Sequence, residues 1–228
     1  MTKNGHLITG AIASIYPAFI ALNSFGLPYS LAACLMTIAG ANAPDYLEIR
    51  YTKKIVKKSG FFQKPKEITV SKTVLAHRGV THTILYWFTA FILSYLLINP
   101  TVWFQEFIDR FSVLSELHDS KIILSLLLGY AFGGLTHLFG DLPNKKSIPV
   151  IPFGFRFCLN LWNSGEKEKF MMFLVGVVTC ILVGIEANLL TLDRLLEWYA
   201  FISELIVDFF SKKSGNGLNQ QFHKILYL

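Results

Sequence analysis

The chain has 228 residues, of which 53% are hydrophobic, 14% aromatic and only 16% charged. Soluble globular domains carry about 25% charged residues, so this composition excludes an ordinary soluble domain, and it excludes disorder for the same reason. The formal net charge is +6, and in so apolar a chain that excess points to membrane orientation rather than to nucleic-acid binding.

Five apolar runs are visible in chain order. Residues 7–22 and 27–43 are separated by a short Asn-Ser-Phe-Gly turn. Residues 83–98 end at Asn99-Pro100, residues 122–139 end at Gly140-Asp141, and residues 170–190 form the longest run. A spanning helix needs about 20 residues, with a lower limit near 17, so the first two runs also suit a re-entrant hairpin. Residues 192–210 are interrupted by Asp193, Arg194, Glu197, Glu204 and Asp208, and read as an amphipathic helix at the interface. The expected architecture is all-α: a polytopic membrane bundle of about five transmembrane helices over residues 1–190, followed by an amphipathic helix and polar tail over residues 191–228. Ala41-Asn42-Ala43 resembles a signal-peptide cleavage site, but two apolar segments precede it and Pro44 follows it, so cleavage is not expected.

The charges orient the bundle. The loop over residues 44–80 carries Arg50, Lys53, Lys54, Lys57, Lys58, Lys64, Lys66, Lys72 and Arg78 against Asp45, Glu48 and Glu67. The loop after the fourth run is also basic, whereas residues 100–120 hold Arg110 against Glu106, Asp109, Glu116 and Asp119. The positive-inside rule then places the N-terminus and both basic loops in the cytoplasm of a bacterial-type inner membrane. The stretch over residues 53–66 is in addition suited to anionic head groups. Cys34, Cys158 and Cys180 form no CxxC pair, and read as packing thiols.

Six polar residues fall at the ends of these runs: His6, Asp45, His77, His82, His137 and Asp141. Helix alternation alone brings all six to the cytoplasmic side. His137 and Asp141 are four apart and share one helical face, which suits either metal ligation or a His–Asp hydrogen bond. His77 and His82 are five apart, and converge if the chain bends at Gly79. His6 by itself is a polar flank, and Asp45 by itself is a cap after Pro44. Together, imidazoles and carboxylates facing a bundle are a zinc-type donor set. Four histidines and two aspartates exceed one tetrahedral site, so one or two zinc ions, or another divalent metal, are expected, activating water as the nucleophile. Arg78 offers a planar fork for phosphate, and Glu48, three residues after Asp45, is a candidate general base or supporting partner. Glu166 and Glu168 cap the last run or reach the site. Gly129-xxx-Gly133 reads as close helix packing.

Asn-Gly-His-Leu at positions 4–7, Pro44-Asp45, His-Arg-Gly-Val-Thr-His-Thr at 77–83 and Gly-Leu-Thr-His-Leu-Phe-Gly-Asp at 134–141 resemble the YdjM-like family of inner-membrane, metal-dependent hydrolases. The likeness runs through about Phe170. It implies a divalent metal, zinc first, and hydrolase chemistry. A more distant pattern is similar to zinc-dependent phospholipase C and the single-strand nucleases, whose N-terminal ligand, isolated Asp and His-xxx-Asp pair correspond in kind to His6, Asp45, His77 and His137/Asp141. Their ligating N-terminal amine is expected to be displaced here by Met1 to Gly5.

The expected function is hydrolysis of a phosphoester, such as a lipid phosphate arriving from the inner leaflet, with no nucleic-acid partner. The alternative is a non-catalytic transport or assembly component that uses the same cluster for metal or protons. A transporter should place ionisable groups near the midplane, and Glu186 is the nearest approach to that.

Overall fold

Thr2 starts the first helix by accepting a hydrogen bond from the Gly5 amide at 3.2 Å, which satisfies one of the free amides of an N-terminal turn. Helix α1 (Lys3–Ala13) and helix α2 (Ile15–Phe25) follow, separated only at Ser14, whose hydroxyl donates to the Ala11 carbonyl. The computed structural model describes residues 1–47, 50–57, 66–73, 79–152 and 154–191, with positions 193, 196, 200, 203 and 204. Starting at Lys3 makes α1 and α2 together a 23-residue apolar segment, about 35 Å long at 1.5 Å per residue. That exceeds the 16-residue run visible in hydropathy, because polar Lys3 and Asn4 also join the helix.

Gly26, at φ 101°, makes the turn into α3 (Leu27–Gly40), where Pro28 occupies the first helical turn. At 14 residues, α3 reaches only about 21 Å and is short for a membrane crossing. The one-turn α4 (Ala43–Tyr46) follows. Strands β1 (Arg50–Lys57) and β2 (Lys66–Thr73) then pair antiparallel, from Arg50 opposite Thr73 to Lys57 opposite Lys66. This hairpin lies where the sequence suggested only a basic loop.

A 3-10 turn (Val80–His82) leads into α5 (Ile84–Ile98), and α6 (Val102–Asp109) leaves it at 95° after Asn99-Pro100. Pro100 cannot continue a helix. Helix α7 (Ser112–Asp119) is anchored by His118, whose Nδ1 donates to the Leu97 carbonyl at 2.7 Å. The long α8 (Lys121–Asp141) is followed by the short hairpin β3 (Ile148–Pro149) and β4 (Arg156–Phe157), then by α9 (Glu168–Glu186). Each of the five expected runs is helical. Three helical segments are long and apolar enough to cross a membrane, or four if α5 and α6 form one broken span. The amphipathic helix expected over residues 192–210 falls largely outside the described residues.

The chain divides into two compact units, Met1–Cys180 and Ile181–Leu228. In the second, α9 ends at a turn where Leu189 and Leu190 donate to the Gly184 carbonyl. In the first, α3 and α8 are the central pair. A methyl group added at Gly129 would strike the Ala33 carbonyl, one at Gly133 the Thr37 carbonyl, and one at Gly40 the Tyr130 backbone. Missing Cβ atoms thus let the two backbones touch, the small-xxx-small geometry of membrane helices. Gly134 makes the same room for the ring of Trp87, which packs with Ala43, Leu138 and Ile148 and donates its indole N–H to the Thr81 carbonyl at 2.8 Å. These contacts place the end of α3, the 3-10 turn and the end of α8 side by side.

Candidate metal centre

Five of the six ligand candidates converge at that end of the unit. His6 lies in the first turn of α1, Asp45 on α4, His82 at the end of the 3-10 turn, and His137 and Asp141 one turn apart at the end of α8. The three histidines and Asp141 are buried, whereas the Asp45 side chain is 41% exposed. His77, Arg78 and Glu48 lie outside the described residues. His118 is engaged at Leu97, away from the group.

The imidazoles pack directly. His6 and His137 stack with centroids 3.8 Å apart, and His82 meets His137 edge-on at 5.3 Å. Around them, His6 Nε2 is 3.4 Å from Asp141 Oδ1, and His82 Nε2 is 3.4 Å from Asp45 Oδ1. His137 Nε2 lies 3.9 Å from Asp45 Oδ1 and 4.0 Å from Asp141 Oδ2. Two groups of three donors result, His6/His137/Asp141 and Asp45/His82/His137, with the donor atoms of each within 4.8 Å of one another. His137 belongs to both.

The second nitrogen of His137 sets its protonation. Nδ1 is 2.8 Å from the Ala41 carbonyl, which can only accept, so Nδ1 carries the hydrogen and Nε2 presents a lone pair to the cluster. An imidazole oriented by a backbone carbonyl in this way is the usual support of a metal-binding histidine. His137 Nε2 and His6 Nδ1 are buried without a hydrogen-bond partner. Leaving such a polar atom unpaired costs about 1–3 kcal/mol, and His137 Nε2 between two carboxylates fits a bound cation. Nitrogen and carboxylate donors at this spacing suit zinc. Asp45 is held down to about 2, first by the hydrogen bond from His82, with nearby imidazoles adding to it and partial burial opposing. It therefore stays an anionic donor throughout the neutral range.

Supporting residues extend the set. The Met1 amine lies 2.6 Å from Asp141 Oδ1, and Asn144 Nδ2 donates to the same oxygen at 2.9 Å. The amine, expected to be displaced from the site, instead reaches it, because residues 3–5 are already helical and α1 holds Met1 back over Gly140 and Asp141. Glu168 at the start of α9 receives hydrogen bonds from the amide and hydroxyl of Thr2, so it clamps the start of α1 and reaches no donor of the cluster directly. Glu166 instead accepts from Asn163, whose hydrogen bonds hold its carboxyl below the ordinary range. Thr81 Oγ1, 3.2 Å from His82 Nδ1, steadies that ring. Asn144, three residues beyond Asp141, was the supporting residue most open to recognition from sequence. The Ala41 carbonyl carried no side-chain signal at all.

All five clustered residues lie at helix ends rather than mid-span, since His6 opens the first apolar segment and Asp141 closes α8. No curated protein and no solved structure matches the chain, so the likeness to phospholipase C rests on sequence pattern alone. Over residues 1–213, however, covering every helix that builds the site, the sequence matches the YdjM inner membrane protein family, and the chain belongs to that family.

Proposed function

We propose that the protein is a membrane-bound, metal-dependent hydrolase acting on a phosphoester at the cytoplasmic membrane face. The observation that carries this reading is the buried, unpartnered Nε2 of His137, which lies between the Asp45 and Asp141 carboxylates, with His6 Nε2 3.4 Å from Asp141 Oδ1. His6, Asp45, His82, His137 and Asp141 would hold the ion, with His77 joining them on the sequence pattern. A divalent ion there supplies Lewis acidity toward a phosphoryl oxygen and water acidified toward neutral pH.

The chain's own residues do the rest. The Ala41 carbonyl fixes the His137 tautomer, and Asn144 and the Met1 amine hold Asp141 in place. Asp45, the exposed member of the set, marks the side from which a substrate and water enter. Arg78 is assigned to the developing phosphoryl charge and Glu48 to the proton of the attacking water. A phospholipid suits a site at the end of the spanning helices better than a polymer does, because lateral diffusion delivers it there. The basic charge of the loops over residues 44–80 and after α8 supports a cytoplasmic position for this face.

Elemental mass spectrometry of the detergent-purified chain, then turnover of phospholipids and a simple phosphodiester in proteoliposomes, tests this reading. Near-stoichiometric zinc with phosphate release is expected. Arg78→Ala should retain the metal while turnover falls about 100-fold, the usual cost of losing one charge-stabilising donor. A folded chain that takes up no zinc on reconstitution, or turnover unchanged by Arg78→Ala, overturns it.

A further inference from the structure

The connection from α8 to α9 carries an exposed apolar edge. Phe155, Phe157, Leu159 and Leu161 stand at alternate positions, and all four are exposed, from 41% at Phe157 to 66% at Phe155. Their backbone is nonetheless fixed. The Phe155 carbonyl accepts from the Val150 amide at 2.8 Å, and the Leu159 and Leu161 amides donate to the Leu142 and Pro143 carbonyls at 2.9 Å each. These hydrogen bonds also locate the edge. Leu142 and Pro143 directly follow Asp141, and Asn144, which bridges to Trp162, donates to the Asp141 carboxylate. The apolar edge is thus built onto the residues that support the metal centre.

We propose that residues 155–161 rest in the head-group region of the membrane, against anionic lipid, on the side where the metal centre lies. Three observations combine. The connection is tied to the ends of three apolar helices: it follows α8, leads into α9, and its Val150 carbonyl accepts at 3.0 Å from the amide of Leu85 at the start of α5. It therefore lies at the level where those helices leave the hydrocarbon. The edge is also continuous with surface that α9 offers to lipid. The Trp162 ring meets Phe170 edge-on at 6.2 Å, and Phe170 and Phe173 are exposed on a helix long and apolar enough to span. An exposed apolar patch rimmed by polar residues marks an interaction surface, and this one adjoins lipid already. Finally, the stretch between Asp141 and Glu166 holds Lys145, Lys146 and Arg156 and no acid. Cations beside apolar side chains match an anionic interface, where the charges stay among head groups and the apolar groups sink below them. Lipid contact here is independent of hydrolysis, so its failure would leave the metal reading standing.

The test uses the full chain in lipid nanodiscs carrying a diazirine on either phosphatidylcholine or phosphatidylglycerol. Photocrosslinking followed by peptide mass spectrometry requires no substitution. Crosslinks to residues 155–161 are expected, at least about five-fold richer from phosphatidylglycerol, the gain that one surface cation supplies, and high salt should remove that preference. In a background of Cys34→Ala, Cys158→Ser and Cys180→Ala, a fluorescent label at Phe157→Cys or Leu161→Cys should be quenched by spin-labelled lipid and shielded from iodide. A label at Lys145→Cys should stay open to iodide. Absence of crosslinks at residues 155–161 overturns the proposal, as does an equal yield from the two lipids. Shielding seen only in discs that hold two chains would mark a second copy on this edge and also overturn it.

Discussion

Replacing His137 by Ala removes the one residue common to both donor groups, and each group falls from three donors to two. Because Nδ1 is committed to the Ala41 carbonyl, Nε2 offers a single lone pair, and only one of the two groups can be complete at a time. The wild-type chain should therefore hold one zinc ion tightly. Removing a partner that merely orients a ligand costs about 10–100-fold in metal affinity, and losing the shared ligand should cost at least about 100-fold. Asp45→Asn leaves His6, His137 and Asp141 intact, so its loss should stay below about 10-fold on the same scale. His137→Ala also strands the buried Ala41 carbonyl, a penalty of about 1–3 kcal/mol, yet the glycine contacts between α3 and α8 remain to hold the fold. A competition titration against a chromophoric zinc chelator, in detergent near neutral pH, reads both variants. Wild-type affinity in His137→Ala, or equal damage from Asp45→Asn, would refute a shared centre.

Further substitutions probe the frame around it. Gly133→Ala drives a methyl into the Thr37 carbonyl and the Ala41 amide, and overpacking of this kind costs about 1–3 kcal/mol; a lowered Tm is expected. Gly176→Ala meets nothing nearer than Ile12 Cγ2 at 3.7 Å and, because Ala is the better helix former, should not lower the Tm in the same melt. Asn144→Ala removes the amide that steadies Asp141, so zinc affinity should fall about 10-fold without loss of helical circular dichroism. Glu168→Ala frees the start of α1, and faster hydrogen exchange over residues 2–6 is its expected signature.

Much of the site was legible because helix alternation is a one-dimensional rule. Apolar runs of roughly spanning length send successive polar ends to alternate sides, which is enough to gather His6, Asp45, His82, His137 and Asp141. The four-residue spacing of His137 and Asp141 adds a shared helix face. The hairpin was not anticipated, since its lysines dominated the reading of that loop. Its signal lay in the β-branched residues Thr52, Ile55, Val56, Ile68, Thr69 and Val70 on either side of Gly60 and Pro65.

Composition and charge by themselves determine that this chain is a helical membrane protein with a polar cluster at one end of its helices, because burial in lipid and the spacing of ionisable groups are local properties of the chain. Tertiary structure alone decides that His137 is shared, that Ala41 fixes its tautomer and that the Met1 amine lies on Asp141. Those features depend on how closely α3 and α8 approach, a distance set by Gly40, Gly129 and Gly133 meeting backbone on residues about ninety positions away. A backbone carbonyl and a helix-to-helix distance have no side-chain identity for a sequence to display.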